Sequence, residues 1–110
     1  MTGAGAFDRF VTFERATETP GDYNEPVRTW ADLAERRAAR EDVSDGELIA
    51  AGELGAYLGA RFTVRRDPVT ATLTPQDRLR HDGALWNIQA VREKREAPLR
   101  LLEIRAVREV

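Results

Sequence analysis

Cysteine is absent from this sequence, which removes disulfides, thiolate nucleophiles and sulfur-rich zinc sites together and fits a reducing compartment. Histidine occurs once, at His81, so there is no His-Glu-x-x-His metal motif. A Gly-rich loop ending in Lys-Ser/Thr and a Gly-x-Ser-x-Gly elbow are missing too, and Gly3-Ala4-Gly5 lacks the third glycine and preceding strand of a dinucleotide fingerprint. No stretch approaches the ~18 apolar residues that a membrane span needs, and Met1 to Phe13 has neither the basic nor the apolar region of a cleavable signal. The expectation is a soluble chain with no membrane partner, no metal and no cofactor.

What is present suits one domain over residues 1–110, with 42% hydrophobic composition. A chain this short buries only about two-thirds of its unfolded surface, so it holds one core and little volume for a deep cavity. Association with other chains would supply further burial. The net charge of −2 hides an asymmetry: residues 1–60 carry 6 Arg and 12 acids, whereas residues 61–110 carry 10 Arg and Lys94 against 7 acids. These sums of −6 and +4 argue against a globally basic nucleic-acid binder and for a surface that pairs with another protein or with copies of itself. Arg and Ala are equally frequent at 16 each, a bias that GC-rich codons produce.

Residues 1–6 are small and featureless, which predicts a flexible N-terminus. Phe10-Val11-Thr12-Phe13-Glu14-Arg15 alternates and is rich in β-branched and aromatic residues, the pattern of a first strand. The stretch Ala16 to Glu25 contains Pro20-Gly21-Asp22-Tyr23-Asn24 and predicts a long polar loop, after which Val27-Arg28-Thr29-Trp30 resumes an extended run. Ala31 to Arg40 consists of strong helix formers, and propensity alone predicts a helix. Ser44-Asp45-Gly46-Glu47 is a capping box. Leu48, Ala51, Leu54 and Leu58 then form an apolar stripe on a short helix, weakened by Gly52, Gly55 and Gly59 at about 1 kcal/mol each relative to Ala.

From Arg61 the period becomes two, which places Phe62 and Val64 in the core before Asp67-Pro68 ends the strand. Thr74-Pro75-Gln76-Asp77 introduces Arg78-Leu79-Arg80-His81, and Asp82-Gly83 signals a hairpin into Ala84 to Val91. Alternation there sets Trp86, Ile88 and Ala90 on one face and Leu85, Asn87, Gln89 and Val91 on the other. Arg92 to Ala97 reads as a polar turn before a last strand, Leu99 to Arg105. About five short strands and one helix give the fold class: mainly β, a small antiparallel barrel or sandwich.

Few residues suggest chemistry. His81 sits beside the Asp82-Gly83 turn and reads as a solvated or turn-stabilising histidine with no catalytic role. The pairs Glu41/Asp42 and Asp45/Glu47 read as capping and solvated acids rather than an acid–base pair or a cation site. Arg61, Arg65 and Arg66 have phosphate-contacting chemistry, but without interleaved aromatics they read as a salt-bridged or protein-facing surface. Trp86 reads as core, and Trp30 divides evenly between core and interface anchor.

Several segments follow one another in a familiar order: Arg9-Phe10-Val11-Thr12-Phe13-Glu14-Arg15, Thr17-Glu18-Thr19, Asp22-Tyr23-Asn24-Glu25-Pro26-Val27 and Thr29-Trp30-Ala31-Asp32-Leu33-Ala34. Then come the Ser44 to Glu47 helix start, Phe62-Thr63-Val64-Arg65, Thr74-Pro75-Gln76-Asp77-Arg78-Leu79, and Asp82-Gly83-Ala84-Leu85-Trp86-Asn87-Ile88-Gln89-Ala90-Val91. In this order and spacing the chain resembles the phage head–tail joining proteins, also called head closure or stopper proteins, from Phe7 to Glu103. It departs from them at Arg36, Arg37 and Arg40, where such proteins carry apolar or aromatic residues.

The resemblance implies a strand over residues 31–43, a small β-barrel with a helix-bearing insertion at residues 44–60, and a role that is structural rather than enzymatic. It further implies a dodecameric ring below the portal and adaptor, at the head–tail junction of a virion or gene transfer particle made in a bacterial cytoplasm. The implied partners are other copies of the chain, the adaptor and portal side of the head, a tail terminator or tail tube, and the double-stranded DNA that the ring helps to retain. The residues expected at partner and channel contacts are Asp22, Tyr23, Trp30, Asp45, Glu47, Leu48, Ala51, Leu54, Tyr57, Arg61, Arg65 and Arg66. The alternative is a small β-barrel nucleic-acid-binding protein that uses Arg61, Arg65, Arg66, Arg78 and Arg80. Acids of the first half are expected to meet arginines of the second across subunit boundaries, with assembly sensitive to salt.

Overall fold

Val11 and Phe13 share one face of the first strand, and the chain buries that face by rolling its strands into a closed sheet. The computed structural model describes residues 7–43, 57–96 and 98–109. Its strands are β1 (Arg9–Pro20), β2 (Pro26–Asp42), β3 (Tyr57–Arg65), β4 (Arg78–His81), β5 (Ala84–Glu96) and β6 (Leu99–Glu109), with short 3-10 turns at Asp22–Asn24 and Thr70–Thr72. Neighbours run β1-β2-β3-β6-β5-β4, every pairing is antiparallel, and β4 closes the barrel on β1. Closure runs through two short ladders, Thr12–Glu14 on β4 and Ala39–Asp42 on β3.

The lumen is filled. Phe13, Phe62, Leu79, Trp86 and Ile104 are fully or almost fully buried. Phe62 stands edge-on to Trp86, with ring centroids 5.4 Å apart, and edge-on to His81 at 5.2 Å. Phe62 and Val64 are core residues, and so is Trp86, as alternation indicated.

Ala31 to Arg40 is strand, as the resemblance implied and propensity did not. Long-range pairing decides it: Ala38 lies opposite Arg9, Ala39 opposite Thr63, and a helix would leave both neighbouring ladders unpaired. The three arginines that replace apolar residues there are each occupied. Arg36 bonds Asp67 at 2.8 Å, Arg37 covers the Phe10 ring at 4.9 Å, and Arg40 covers the Trp86 ring at 5.2 Å.

Four sequence expectations need correction. The loop predicted over Ala16 to Glu25 shrinks to a tight turn, because Thr17 pairs with Thr29, Thr19 with Val27 and Pro20 with Pro26. The Arg92 to Ala97 turn is likewise strand as far as Glu96, paired with Leu99 to Glu103. Gln89 forms a bulge between Ile88 and Ala90, which turns Ala90 outward and brings Val91 against the core, opposite to uninterrupted alternation. Tyr57, Leu58, Gly59 and Ala60 open β3, so the insertion gives way to the barrel at Tyr57 rather than after Ala60. The capping box and the Leu48, Ala51 and Leu54 stripe lie outside the described residues.

Candidate functional site

With the lumen full of side chains, whatever this barrel offers a partner lies on its outside and at its ends. The β1–β2 hairpin carries the most exposed aromatic residue. Its Gly21 amide donates to the Glu25 carbonyl at 2.7 Å, and a Cβ at Gly21 would meet that carbonyl oxygen at 2.7 Å and Val27 at 2.5 Å. Only glycine fits there. Tyr23 and Asn24 follow with φ of 62° and 61°, the left-handed region that costs a tyrosine of order 1–3 kcal/mol. The turn therefore holds Tyr23, 97% exposed, at its apex, where a rigid aromatic side chain has the properties of an interface anchor.

Beside the hairpin an open groove of about 800 Å³ runs past Arg15, Glu18, Arg28, Trp30, Thr72 and Asp77. Trp30 is half-buried on the outside of the barrel, with the Arg78 guanidinium 4.0 Å from its ring centre and Arg28 at 5.8 Å. Asp77 is only 5% exposed. Its two carboxylate oxygens accept from Arg15 Nε and Nη2, each at 3.1 Å, and one accepts the Thr74 amide at 3.0 Å. The hydrogen bond to Asp77 holds the Arg15 pKa above its ordinary value. Arg15 Nη2 also donates to the Thr72 carbonyl at 3.0 Å, so one guanidinium ties β1 to the 70–77 loop.

The opposed charge of the two halves of the chain is resolved largely inside one molecule. Glu14, 5% exposed, accepts from Arg78 at 2.7 Å and from Arg80. Arg80 reaches Asp32 at 3.3 Å, and that hydrogen bond raises its pKa further above the ordinary arginine value. Arg61 reaches Glu41 at 3.2 Å and Glu103 at 3.8 Å. Acids of the first half thus meet arginines of the second, as their charges suggested, but within the subunit. Strand order explains why, since β4 sits against β1 and β3 against β2.

The expected contact residues do not gather into one cluster. Asp22 and Tyr23 form the hairpin tip, Trp30 lines the groove, Tyr57 opens β3, and Arg65 and Arg66 are exposed at its far end. Arg61 lies between them in ion pairs, and Asp45, Glu47, Leu48, Ala51 and Leu54 fall outside the described residues. His81 is not solvated: it is 3% exposed, and its Nδ1 lies 2.9 Å from the Phe10 carbonyl. Sequence reasoning missed the buried roles of Glu14 and Asp77. For Asp77 the signal was Thr74-Pro75-Gln76-Asp77, a turn in which the aspartate caps its own loop. Arg61, Arg78 and Arg80 are tied to acids, which leaves the nucleic-acid-binding alternative few free cations. Among the described residues no cluster of acidic and histidine side chains could hold a metal ion, and no helix is long and apolar enough to cross a membrane.

A filled antiparallel barrel with a projecting hairpin, an open groove beside it and an ion-paired wall defines a small β-barrel that meets partners through its outer surface. The phage head completion protein family matches residues 3–110, and the chain belongs to that family of structural virion proteins. Two solved structures share the fold. One is a chain from the virion of a native gene transfer agent particle, 24% identical, with a TM-score of 0.70 and 94% of each chain covered. The other is the solution structure of protein SF1141 from Shigella flexneri 2a, 23% identical, with a TM-score of 0.68 and coverage of 98% of this chain and 96% of that one. Among curated proteins none matches.

Proposed function

We propose that this chain is the head-closure, or stopper, subunit of a phage or phage-like gene transfer particle. Copies form a dodecameric ring below the portal and adaptor, keep the packaged DNA in the head, and present a docking face to the tail. The observation that carries this reading is the membership of residues 3–110 in the phage head completion family, a match that spans the whole barrel. The surface supports it. Phe10, Tyr23, Val27, Tyr57, Leu58 and Leu85 are exposed apolar or aromatic residues spread over the hairpin, the start of β3 and the β4–β5 hairpin. A subunit with different neighbours on several sides needs such dispersed contacts.

Deletion tests the reading. Heads assembled without this chain should package DNA, lose it on purification and carry no tails, and the wild-type chain supplied in trans should restore both. Tailed, DNA-filled particles from the deletion strain would contradict the assignment.

A further inference from the structure

Two hairpins project from the same end of the barrel. Every pairing is antiparallel, so the β1–β2 turn, the end of β3 and the β5–β6 turn lie at one end and the β4–β5 turn at the other. In the strand order β3 stands between the two hairpins on one side and β4 on the other, so they occupy opposite walls. Both outrun their neighbours: β4 pairs only with Thr12 to Glu14 of β1 and with Ala84 to Asn87 of β5, and β3 meets β2 only from Ala39 onward. From Glu14 to Pro20 the first hairpin runs about 20 Å past the β4 ladder at ~3.3 Å per residue.

The hairpins differ in charge. From Thr17 to Thr29 the first carries Glu18, Asp22 and Glu25 against Arg28, a net of −2, and Arg28 is held by Glu18 at 3.3 Å. Asp22 and Glu25 at the tip are exposed and have no ion pair among the described residues. The second hairpin, from Glu93 to Arg100 with Arg65 and Arg66 beside it, holds five cations against Glu93 and Glu96, a net of +3. Arg66 donates its amide to the Arg100 carbonyl at 2.9 Å, and Arg65 lies opposite Leu101. Glu96 faces Lys94 at 3.5 Å and Glu93 accepts from Arg100 at 2.9 Å, which leaves Arg65, Arg66 and Arg95 exposed without an acid among the described residues. Arg95 also stands directly opposite Arg100 in the ladder, a like-charged pair that weakens a hairpin. Other acids close by are engaged, Asp67 by Arg36 and Glu103 by Arg61. The acids of residues 44–56 join the barrel through Val43 and Tyr57, at its other end.

Aromatic rings elsewhere on the outside of the barrel carry a guanidinium: Arg37 lies over Phe10 and Arg78 over Trp30. Tyr23, between the two tip acids and 97% exposed, has none among the described residues. An acidic tip with an uncovered ring fits a patch of unpaired arginines through charge and through stacking. Duplex phosphates would pair with the same arginines but leave the tip acids and Tyr23 unused. Within one molecule the tip and the patch sit on opposite walls at the same level, and between two copies standing side by side they meet. We infer that the β1–β2 tip of one copy docks on the arginine patch of the β5–β6 hairpin of the next. A contact of unlike surfaces is heterologous, and it closes into a ring when the rotation between copies allows. This contact rests on the ring reading above and specifies which two surfaces join the ring.

The natural absence of cysteine makes the test clean. In particles carrying Asn24→Cys together with Pro98→Cys, this chain's thiols sit at the two hairpin turns, and a short bismaleimide should join subunits into a ladder of covalent multimers on an immunoblot. Each single variant should stay monomeric on the gel. Arg95→Glu together with Arg100→Glu should lower the yield of ring-bearing particles about tenfold, since it sets acid against acid across the contact. Adding Asp22→Arg and Glu25→Arg should restore it, which also shows that the altered chain folds. An unchanged yield, or rings visible by electron microscopy without any ladder, would overturn this contact and leave the ring reading standing. Ringed particles of the Arg95→Glu, Arg100→Glu chain that lose their DNA, again without a ladder, would assign the patch to phosphate and overturn it as well. Wild-type particles without rings would remove the ring reading and this contact together.

Discussion

Asp67 shows how much one side chain can organise. Its Oδ1 accepts the Val69 and Thr70 amides at 2.8 and 2.9 Å, its Oδ2 accepts Arg36 Nε at 2.8 Å, and Thr70 Oγ1 returns a bond to the Arg65 carbonyl at 2.9 Å. Burial pushes its pKa up, but the Arg36 bond and the two amides outweigh this and hold it below the usual carboxylate range. A depressed folded pKa stabilises the fold above the unfolded value near ~4, and that contribution fades as pH falls through the folded value. Asp67→Asn keeps an acceptor for the amides and removes the charge facing Arg36. It should cost about 1 kcal/mol at pH 7 by urea unfolding, a difference that closes below about pH 4. A constant difference down to pH 3 would place the effect elsewhere. Phe62 is the other extreme, wholly apolar contact, and Phe62→Ala should cost about 3–5 kcal/mol in the same assay. Phe62 was legible from alternation alone. His81 was not, because Asp82-Gly83 marks a turn without saying that His81 follows Leu79 into the core.

At the level of elements, β2 separates what a sequence shows from what it conceals. ADLAERRAAR is helical by every local measure, yet β1 pairs with it from Ala31 to Ala38 and β3 takes over at Ala39 and Arg40, and that pairing outweighs a few tenths of a kcal/mol per residue. The two bulges have the same origin. Gln89 on β5 and Leu33 on β2 are extra residues whose placement depends on the partner strand, so alternation read along one strand fails beyond them. Strand existence was readable, whereas strand length was not: both hairpins run further than their polar composition suggests, because exposed faces tolerate Thr, Glu and Arg while the backbone pairs. The β1–β2 tip gives a sharp expectation. Gly21→Ala forces a Cβ against the Glu25 carbonyl, so hydrogen exchange of the tip amides should rise about tenfold while core amides and global stability stay within about 0.5 kcal/mol. Unchanged exchange at the tip would show that the turn adapts to the side chain.

Across the whole molecule, the charge asymmetry of the sequence becomes an internal lattice of ion pairs, with β4 arginines on β1 and β2 acids and the β3 arginine between β2 and β6. This limits how much the two halves of the chain can attract a neighbouring copy. The family was legible from the order of short motifs, none of them diagnostic alone, and the strand signals by themselves pointed to a small antiparallel barrel or sandwich. The exposure of the candidate contact residues was legible only in part, since it depends on strand order and on bulges that no local pattern reveals. The central claim, a ring subunit at the head–tail junction, has one direct test: a reconstruction of purified particles by electron cryomicroscopy. It should show this barrel repeated in a closed ring beneath the portal and adaptor, with the channel running through it. Particles whose junction is built without this chain, or that carry it elsewhere, would contradict the account.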